Sequence, residues 1–415
     1  MSPGWIVRQV NEKRLLAAVF AAGALSRAEL ARRLGLMRST TGSLVRELAD
    51  EGLVRERAPV PASTGPARAG RPSIAVEIAP DGAFFIGAYI GVDRVTALGI
   101  DLAASVRCSI TEPFDGADSE PRAAVAKVSG LVERVIDAVG ETSRIQGISV
   151  ALPGFLGPDG TDCHAAILGW HDVNVADLLR GRLGTAVPVG VENDANAFAI
   201  AERYRGSTPG GSASRERAPE GIDDGLFVLI ESGVGAGILV DGRLLRGRGH
   251  GTGEIGHMPI GERGFVPDPE RPGRLESYVG KEALLARYRH HGGRTRGLEA
   301  FLEALDADRV AARRTATDWA HWLGRGLATL ASVIELQRIV VGGSVGAPML
   351  SRTGAAVEAT LGAALARGYP VPDVCASTLG PDGAALGAAC GLHDRMLTAT
   401  GEVGAAMGAR EVGNA

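Results

Sequence analysis

Residues 187–198, Val-Pro-Val-Gly-Val-Glu-Asn-Asp-Ala-Asn-Ala-Phe, constrain the fold more than any other stretch of this chain. A short, largely apolar strand over 187–191 stops on Glu192, Asn193, Asp194 and Asn196, and a helical run from Ala195 to Tyr204 follows at once. Polar side chains at the carboxyl end of a buried strand, where the next helix begins, stand where open α/β sheets bind ligands. Asn193 offers a donor and an acceptor, and Asp194 offers a carboxylate. That pair suits a sugar hydroxyl, and a carboxylate so placed can act as a general base. A turn with a helix cap is the other reading of Asn-Asp. Local sequence leaves both open.

The pattern around this stretch repeats its logic. Residues 84–90, 95–102 and 105–110 read as a meander of strands, and 121–140 as an amphipathic helix. Residues 145–152 form a buried strand that ends in Pro153-Gly154. Residues 226–230 and 235–240 pair across Glu231-Ser232-Gly233-Val234. Further on, 311–335 is a long helical pattern, 338–341 a strand ending in Gly342-Gly343, and 380–392 a small-residue helix. Two halves result, each a meander followed by helices, which predicts an α/β body with a cleft between them. With aromatics at only 4%, its core is built from Ala, Val, Leu and Ile. No run approaches the roughly 20 apolar residues of a membrane span, and the first ten residues lack a signal-peptide core. Cys108, Cys163, Cys375 and Cys390 are scattered without a CxxC, as in a protein of the reducing cytoplasm.

The amino-terminal part differs in charge. Residues 1–72 hold 12 Lys and Arg against 6 Asp and Glu, whereas the remainder holds 32 against 42. A basic head on an acidic body makes nucleic acid a partner of the head alone. Residues 11–22 form a short amphipathic helix. Ser26 and Glu29 have the spacing of a capping box, so a second helix starts at Ser26 and runs to about Leu34. A third opens on Arg38-Ser39-Thr40-Thr41-Gly42-Ser43 and turns Leu44, Val45 and Leu48 inward. This is a helix–turn–helix whose third helix meets base edges and phosphates. Ser26, Arg27, Arg38, Ser39, Thr40, Thr41, Ser43 and Arg46 are its candidate DNA contacts. Residues 53–57 and 73–78 pair as a wing, and the loop between them carries Arg68 and Arg71 toward a minor groove or a phosphate.

The order and spacing of several motifs then become specific. Leu25-Ser26-Arg27-Ala28-Glu29-Leu30-Ala31, Gly70-Arg71-Pro72, Leu152-Pro153-Gly154, Glu192-Asn193-Asp194-Ala195-Asn196, Gly253-Glu254-Ile255-Gly256-His257 and Gly342-Gly343 together resemble the ROK family of sugar-responsive repressors and sugar kinases. The resemblance covers roughly residues 8–395. It implies a winged helix–turn–helix over 1–80, with its wing loop at 58–72. A two-lobed actin-like, hexokinase-type body of ribonuclease-H-like halves follows over 81–397, and a tail over 398–415. It also implies that Asn193, Asp194, Glu254, His257 and Glu276 hold the hydroxyls of a sugar.

Two family features are altered. Kinases of the family open the body with Asp-x-Gly-Gly-Thr-Lys, a turn that approaches ATP phosphates; here the positions read Tyr89-Ile90-Gly91-Val92-Asp93-Arg94. A valine side chain and an added carboxylate oppose phosphate at that turn. The second glycine-rich run, Ser232-Gly233-Val234-Gly235-Ala236-Gly237, is intact, and serves either phosphate or packing. Many relatives also hold zinc with the His of the Gly-His motif and three Cys. Pro267, Pro269 and Arg274 stand at those positions, so His257 has no thiolate partners and no metal is expected. The expectation is a transcriptional regulator, a repressor, without cofactor or metal. It binds operator DNA as a homodimer or homotetramer, and a sugar or sugar derivative in its body controls that binding. Helix 311–335, with Trp319 and Trp322, is a candidate oligomer contact. The alternative is an active sugar kinase with a DNA-binding head, in which Asp194 is the base.

Overall fold

The computed structural model describes residues 3–57, 74–157, 162–205, 224–247, 251–265, 272–294 and 297–398. The head comprises α1 (Pro3–Ala22), β1 (Ala24–Ser26), α2 (Arg27–Leu34), α3 (Arg38–Asp50), β2 (Val54–Arg57) and β3 (Ala75–Ile78). The expected capping box starts α2: Ser26 Oγ accepts from Glu29 N–H, and the Glu29 carboxylate takes the Ser26 N–H at 2.9 Å. In α3, Thr41, Leu44, Val45 and Leu48 are buried at the spacing of one helix face. The wing strands β2 and β3 pair antiparallel. β1 pairs with β3 as well, a three-residue strand too short to show alternation in sequence. The wing loop 58–72, with Arg68 and Arg71, and the tail beyond Thr398 lie outside the described residues.

The first lobe runs β4 (Phe84–Ile90), β5 (Arg94–Asp101), β6 (Val106–Pro113), α4 (Pro121–Val139), β7 (Ile145–Leu152), β8 (Phe155–Leu156), β9 (Cys163–Ala165), β10 (Trp170–Val173), α5 (Val175–Leu183), β11 (Val189–Asn193) and α6 (Asp194–Arg205). The second runs β12 (Gly225–Ile230), β13 (Val234–Val240), β14 (Arg243–Leu244), α7 (Glu276–Val279), α8 (Lys281–His290), α9 (Leu298–Asp306), α10 (Val310–Ala331), β15 (Arg338–Gly342), α11 (Gly343–Ala364) and β16 (Asp373–Ala376). The last helix, α12 (Gly383–Leu397), returns to the first lobe.

The two main sheets have one topology. In the first the order is β11-β7-β4-β5-β6, and in the second β16-β15-β12-β13-β14. Each is an antiparallel meander of three strands extended by two parallel ones. Every residue of β4 is buried, as an interior strand covered on both faces requires. Among the described residues the small sheet β8-β9-β10 has no counterpart in the second half. Helix α10 ends at Ala331, four residues short of the expected boundary, where Val333 and Ile334 lead into the turn before β15. Trp319 is fully buried and donates to Val279 O at 2.9 Å, and Trp322 stacks on Tyr278 at 3.9 Å. Trp319 belongs to the core of the second lobe, and Trp322 packs against that core while remaining half-buried.

Helix α6 lies between the lobes. One face, Ala195, Phe198 and Ala199, packs on Phe227, Leu229 and Val340 of the second sheet. The other, Ala197, Ile200 and Ala201, joins α12 in an apolar cluster that continues into the head through Leu15, Leu16 and Val19. The crossing is close: a Cβ on Gly237 would lie 2.3 Å from Ala199 Cβ and 2.8 Å from Ala195 O. Packing against α6 therefore accounts for that glycine in the run 232–237.

Candidate functional site

The parallel strands of the first lobe end at a cavity of about 120 Å³ between the lobes. Asn193, Asp194, Glu254, His257 and Glu276 all line it, so the five residues grouped from sequence surround one space. The cap reading holds for Asn193, while Asp194 lines the cavity. Asn193 caps α6: its Oδ1 accepts from Asn196 N–H at 2.9 Å, and its Nδ2 donates to Gly154 O at 2.7 Å. Asp194, the first residue of α6, accepts only from the Ala195 N–H and the neighbouring Asn193 amide among the described residues. Glu192 turns away to Arg246 at 2.5 Å.

Burial is the main force on the acids. It pushes the Asp194 carboxyl up to about 7, aided by Glu231 and Glu254 and opposed by the Ala195 N–H. Burial also raises Glu254; His257 opposes that shift and Glu276 adds to it. Glu276 is shared between His257 at 3.8 Å and Arg274 at 3.5 Å. A polyol suits this set, because each hydroxyl can donate to a carboxylate while accepting from an amide or imidazole.

The altered turn before β5 is filled from within. The Tyr89 ring lies on Gly91, where a Cβ would sit 2.6 Å from the phenol oxygen. Arg94 spans the cleft to Glu231 through bonds of 2.9 and 3.3 Å and donates to Pro381 O at 3.2 Å. Glu231 also accepts from the Ser344 N–H at 3.0 Å and from its hydroxyl. Lys281 reaches Asp93 at 2.9 Å. Five polar side chains thus join the two lobes at the turn. Sequence reasoning treated Glu231 only as a connector and did not single out Arg94 as its partner; they are 137 residues apart.

Positions 267 and 269 lie outside the described residues, and Arg274 occupies the third position of the expected zinc set. A guanidinium cannot replace a thiolate ligand, so the residues do not fit a zinc site. The neighbouring segment is held by other means. Arg287 is fully buried with its guanidinium 4.0 Å from the Phe265 ring centre, donating to Tyr278 O at 2.9 Å.

On the head, Arg38, Ser39, Ser43 and Arg46 are exposed along α3, and Thr40 is half-buried. Among the described residues no side chain caps the amino end of α3, whose N-cap is the exposed Met37. Such an end favours a phosphate. Thr41 must be withdrawn as a DNA contact: it is buried, and its hydroxyl donates to Met37 O at 3.2 Å. Ser26 is engaged in its capping box, and Arg27 is paired with Glu56 at 2.7 Å. Arg71 lies outside the described residues.

A profile described as "ROK family" matches residues 119–395, and one described as "Winged helix-turn-helix DNA-binding" matches residues 9–55. The chain is 24% identical over 396 residues to the xylose repressor of Bacillus subtilis (strain 168), covering 94% of this chain and 97% of that protein. A solved ROK family transcriptional regulator, described as a homolog of the E. coli MLC protein, is similar with a TM-score of 0.75 at 20% identity, over 94% of this chain and 97% of that one. A ROK family glucokinase from Streptomyces griseus, solved with glucose and AMPPNP, is similar with a TM-score of 0.60 at 23% identity, over 74% and 98%. These two structural likenesses are likenesses of fold.

Proposed function

The chain belongs to the ROK family, and from that premise we propose that it is a sugar-responsive transcriptional regulator, a repressor whose kinase-shaped body binds a sugar to control operator binding. The observation that carries this reading is the contrast within one cleft. The carboxylates suited to sugar hydroxyls are in place, while Tyr89 and the Arg94–Glu231 pair fill the turn that a nucleotide phosphate would approach. Phosphoryl transfer depends on positioning and charge neutralisation at the phosphates. A carboxylate and a phenol in that place oppose both.

Helix α6 supports a route from sugar to DNA. Asp194 begins it, and Tyr204 near its other end meets the head: its ring lies 6.1 Å from Phe20 of α1. The Tyr204 hydroxyl is 3.2 Å from His393 Nδ1, and the His393 ring is 4.8 Å from Phe20. A shift of α6 on sugar binding would reach the head through this contact. Coupling of this kind is reciprocal, so DNA and sugar affinities change by one factor.

The relatives named above supply the first probes, D-xylose and D-glucose. Binding to DNA flanking the protein's own gene, measured at fixed salt with and without each sugar, is expected to change with one of them. The second reading is a sugar kinase bearing a DNA-binding head, and one observation favours it: a buried Asp194 held near neutrality suits a general base. ATP turnover with the same sugars tests it. Asp194-dependent formation of sugar phosphate at stoichiometric yield would overturn the pure-sensor reading.

A further inference from the structure

The polar residues of the cavity account for the rim of a sugar but not for its faces. A sugar ring carries hydroxyls at its edge and C–H groups above and below. Carboxylates and imidazole satisfy the first and leave the second to an apolar surface. One wall of the cavity supplies such a surface. Phe155 lines it with its ring open to the cavity at 39% exposure. Its ring is stacked on His164, with centroids 5.0 Å apart and planes at 26°. Asp172 Oδ1 lies 2.9 Å from His164 Nε2.

The backbone ties this wall to the strand end that precedes Asp194. Gly154 has φ +113°, and a Cβ there would lie 2.1 Å from His164 O. Only glycine lets the chain pass so near, and the approach sets Phe155 opposite His164 in the β8–β9 pair. Asn193 then donates to Gly154 O, tying the start of that pair to the cap of α6. The aromatic wall and the Asp194 carboxylate are thereby held in register by one amide.

Resting on the sugar-binding reading above, we infer that Phe155, backed by His164, is the platform for one C–H face of the sugar ring and so helps set which sugars the body accepts. C–H groups beside oxygen carry partial positive charge and meet the negative face of an aromatic ring favourably. Phe155 is a binding residue in this role. It takes no part in proton transfer.

The test is calorimetric titration of the full chain with D-xylose and with D-glucose, for wild type, Phe155→Ala and Phe155→Tyr. DNA binding without sugar is measured on the same samples to confirm an intact fold. Phe155→Ala is expected to weaken the sugar that wild type binds by about tenfold, the equivalent of ~1.4 kcal/mol. Phe155→Tyr keeps the ring and is expected to stay within about twofold of wild type. Wild-type affinity in Phe155→Ala, or a loss in Phe155→Tyr as large as in Phe155→Ala, overturns the platform and leaves sugar sensing standing. If wild type binds neither sugar, the platform is overturned for both, and the sugar-binding reading falls with it only where no other sugar alters binding to DNA.

Discussion

Asp194 is an acid whose burial has consequences that titration can read. Its folded value of about 7 lies above the roughly 3.9 of an unfolded Asp, so folding takes up a proton between those two pH values. The resulting contribution to stability is complete below the unfolded value and is lost as the pH rises through the folded one. Asp194→Asn stays neutral throughout. It is therefore expected to be more stable than wild type at pH 8, by a wider margin than at pH 5, in urea unfolding; equal margins at the two pH values would refute this. Sugar binding has the opposite dependence. A hydroxyl donating to Asp194 favours the carboxylate, so wild-type sugar affinity should rise from pH 6 to pH 8 and that rise should vanish in Asp194→Asn. Arg94 and Glu231 invite a second test at this scale. Both side chains are nearly buried, and removing one partner of a buried pair leaves an uncompensated charge, a loss of about 3–5 kcal/mol. Arg94→Met alone should be destabilised on that order, and Arg94→Met with Glu231→Leu by less. A double variant no better than the single one would mean the pair is not coupled.

At the scale of elements, α6 carries the proposed coupling, and Tyr204 is where it can be cut. Twelve residues at about 1.5 Å each make a rod of roughly 18 Å from Asp194 to the head. Tyr204→Phe keeps the ring against Phe20 but removes the hydroxyl from His393 Nδ1 and from Asp394. The expected outcome is sugar affinity within about twofold of wild type and a smaller effect of sugar on DNA affinity. An unchanged effect would sink the route through this contact. Helix α6 was legible in the sequence because a strand stopping on Glu-Asn-Asp is a strong local signal, and so were β4, β7 and β12, whose apolar runs reflect burial on both faces. The β8–β10 sheet was not, since strands of two to four residues have no period to detect. Thr41 was misread for a related reason. Hydroxyls at the start of a helix look alike in sequence, and only packing tells the one that faces inward. The Arg94–Glu231 pair depends on two turns meeting across the cleft, which neither turn records by itself.

For the whole molecule, the joint between head and body decides whether ligand binding in one can be felt in the other. Inter-domain contacts are commonly modest, and domains joined by a loose linker melt independently. Here the head is built into the body's core. Val76 and Ile78 of the wing, Leu15 and Val19 of α1, and Phe85 and Ala389 of the first lobe belong to one continuous apolar cluster. A backbone bond crosses the boundary too: Leu102 N–H donates to Pro80 O at 3.0 Å. A Cβ on Gly82 would fall 2.5 Å from Gly52 O, so the connection has almost no room to swing. Separating head from first lobe would expose Phe20, Phe85 and His393 to water, at about 25 cal/mol per Å² of apolar surface. Head and first lobe should therefore unfold as one unit. Scanning calorimetry is expected to show no separate early transition for residues 1–80, and the head signal should be lost at the temperature at which the first lobe melts. A head that melts first, with the body still folded, would show a hinge where the packing shows a joint, and coupling through Tyr204 would lose its mechanical basis.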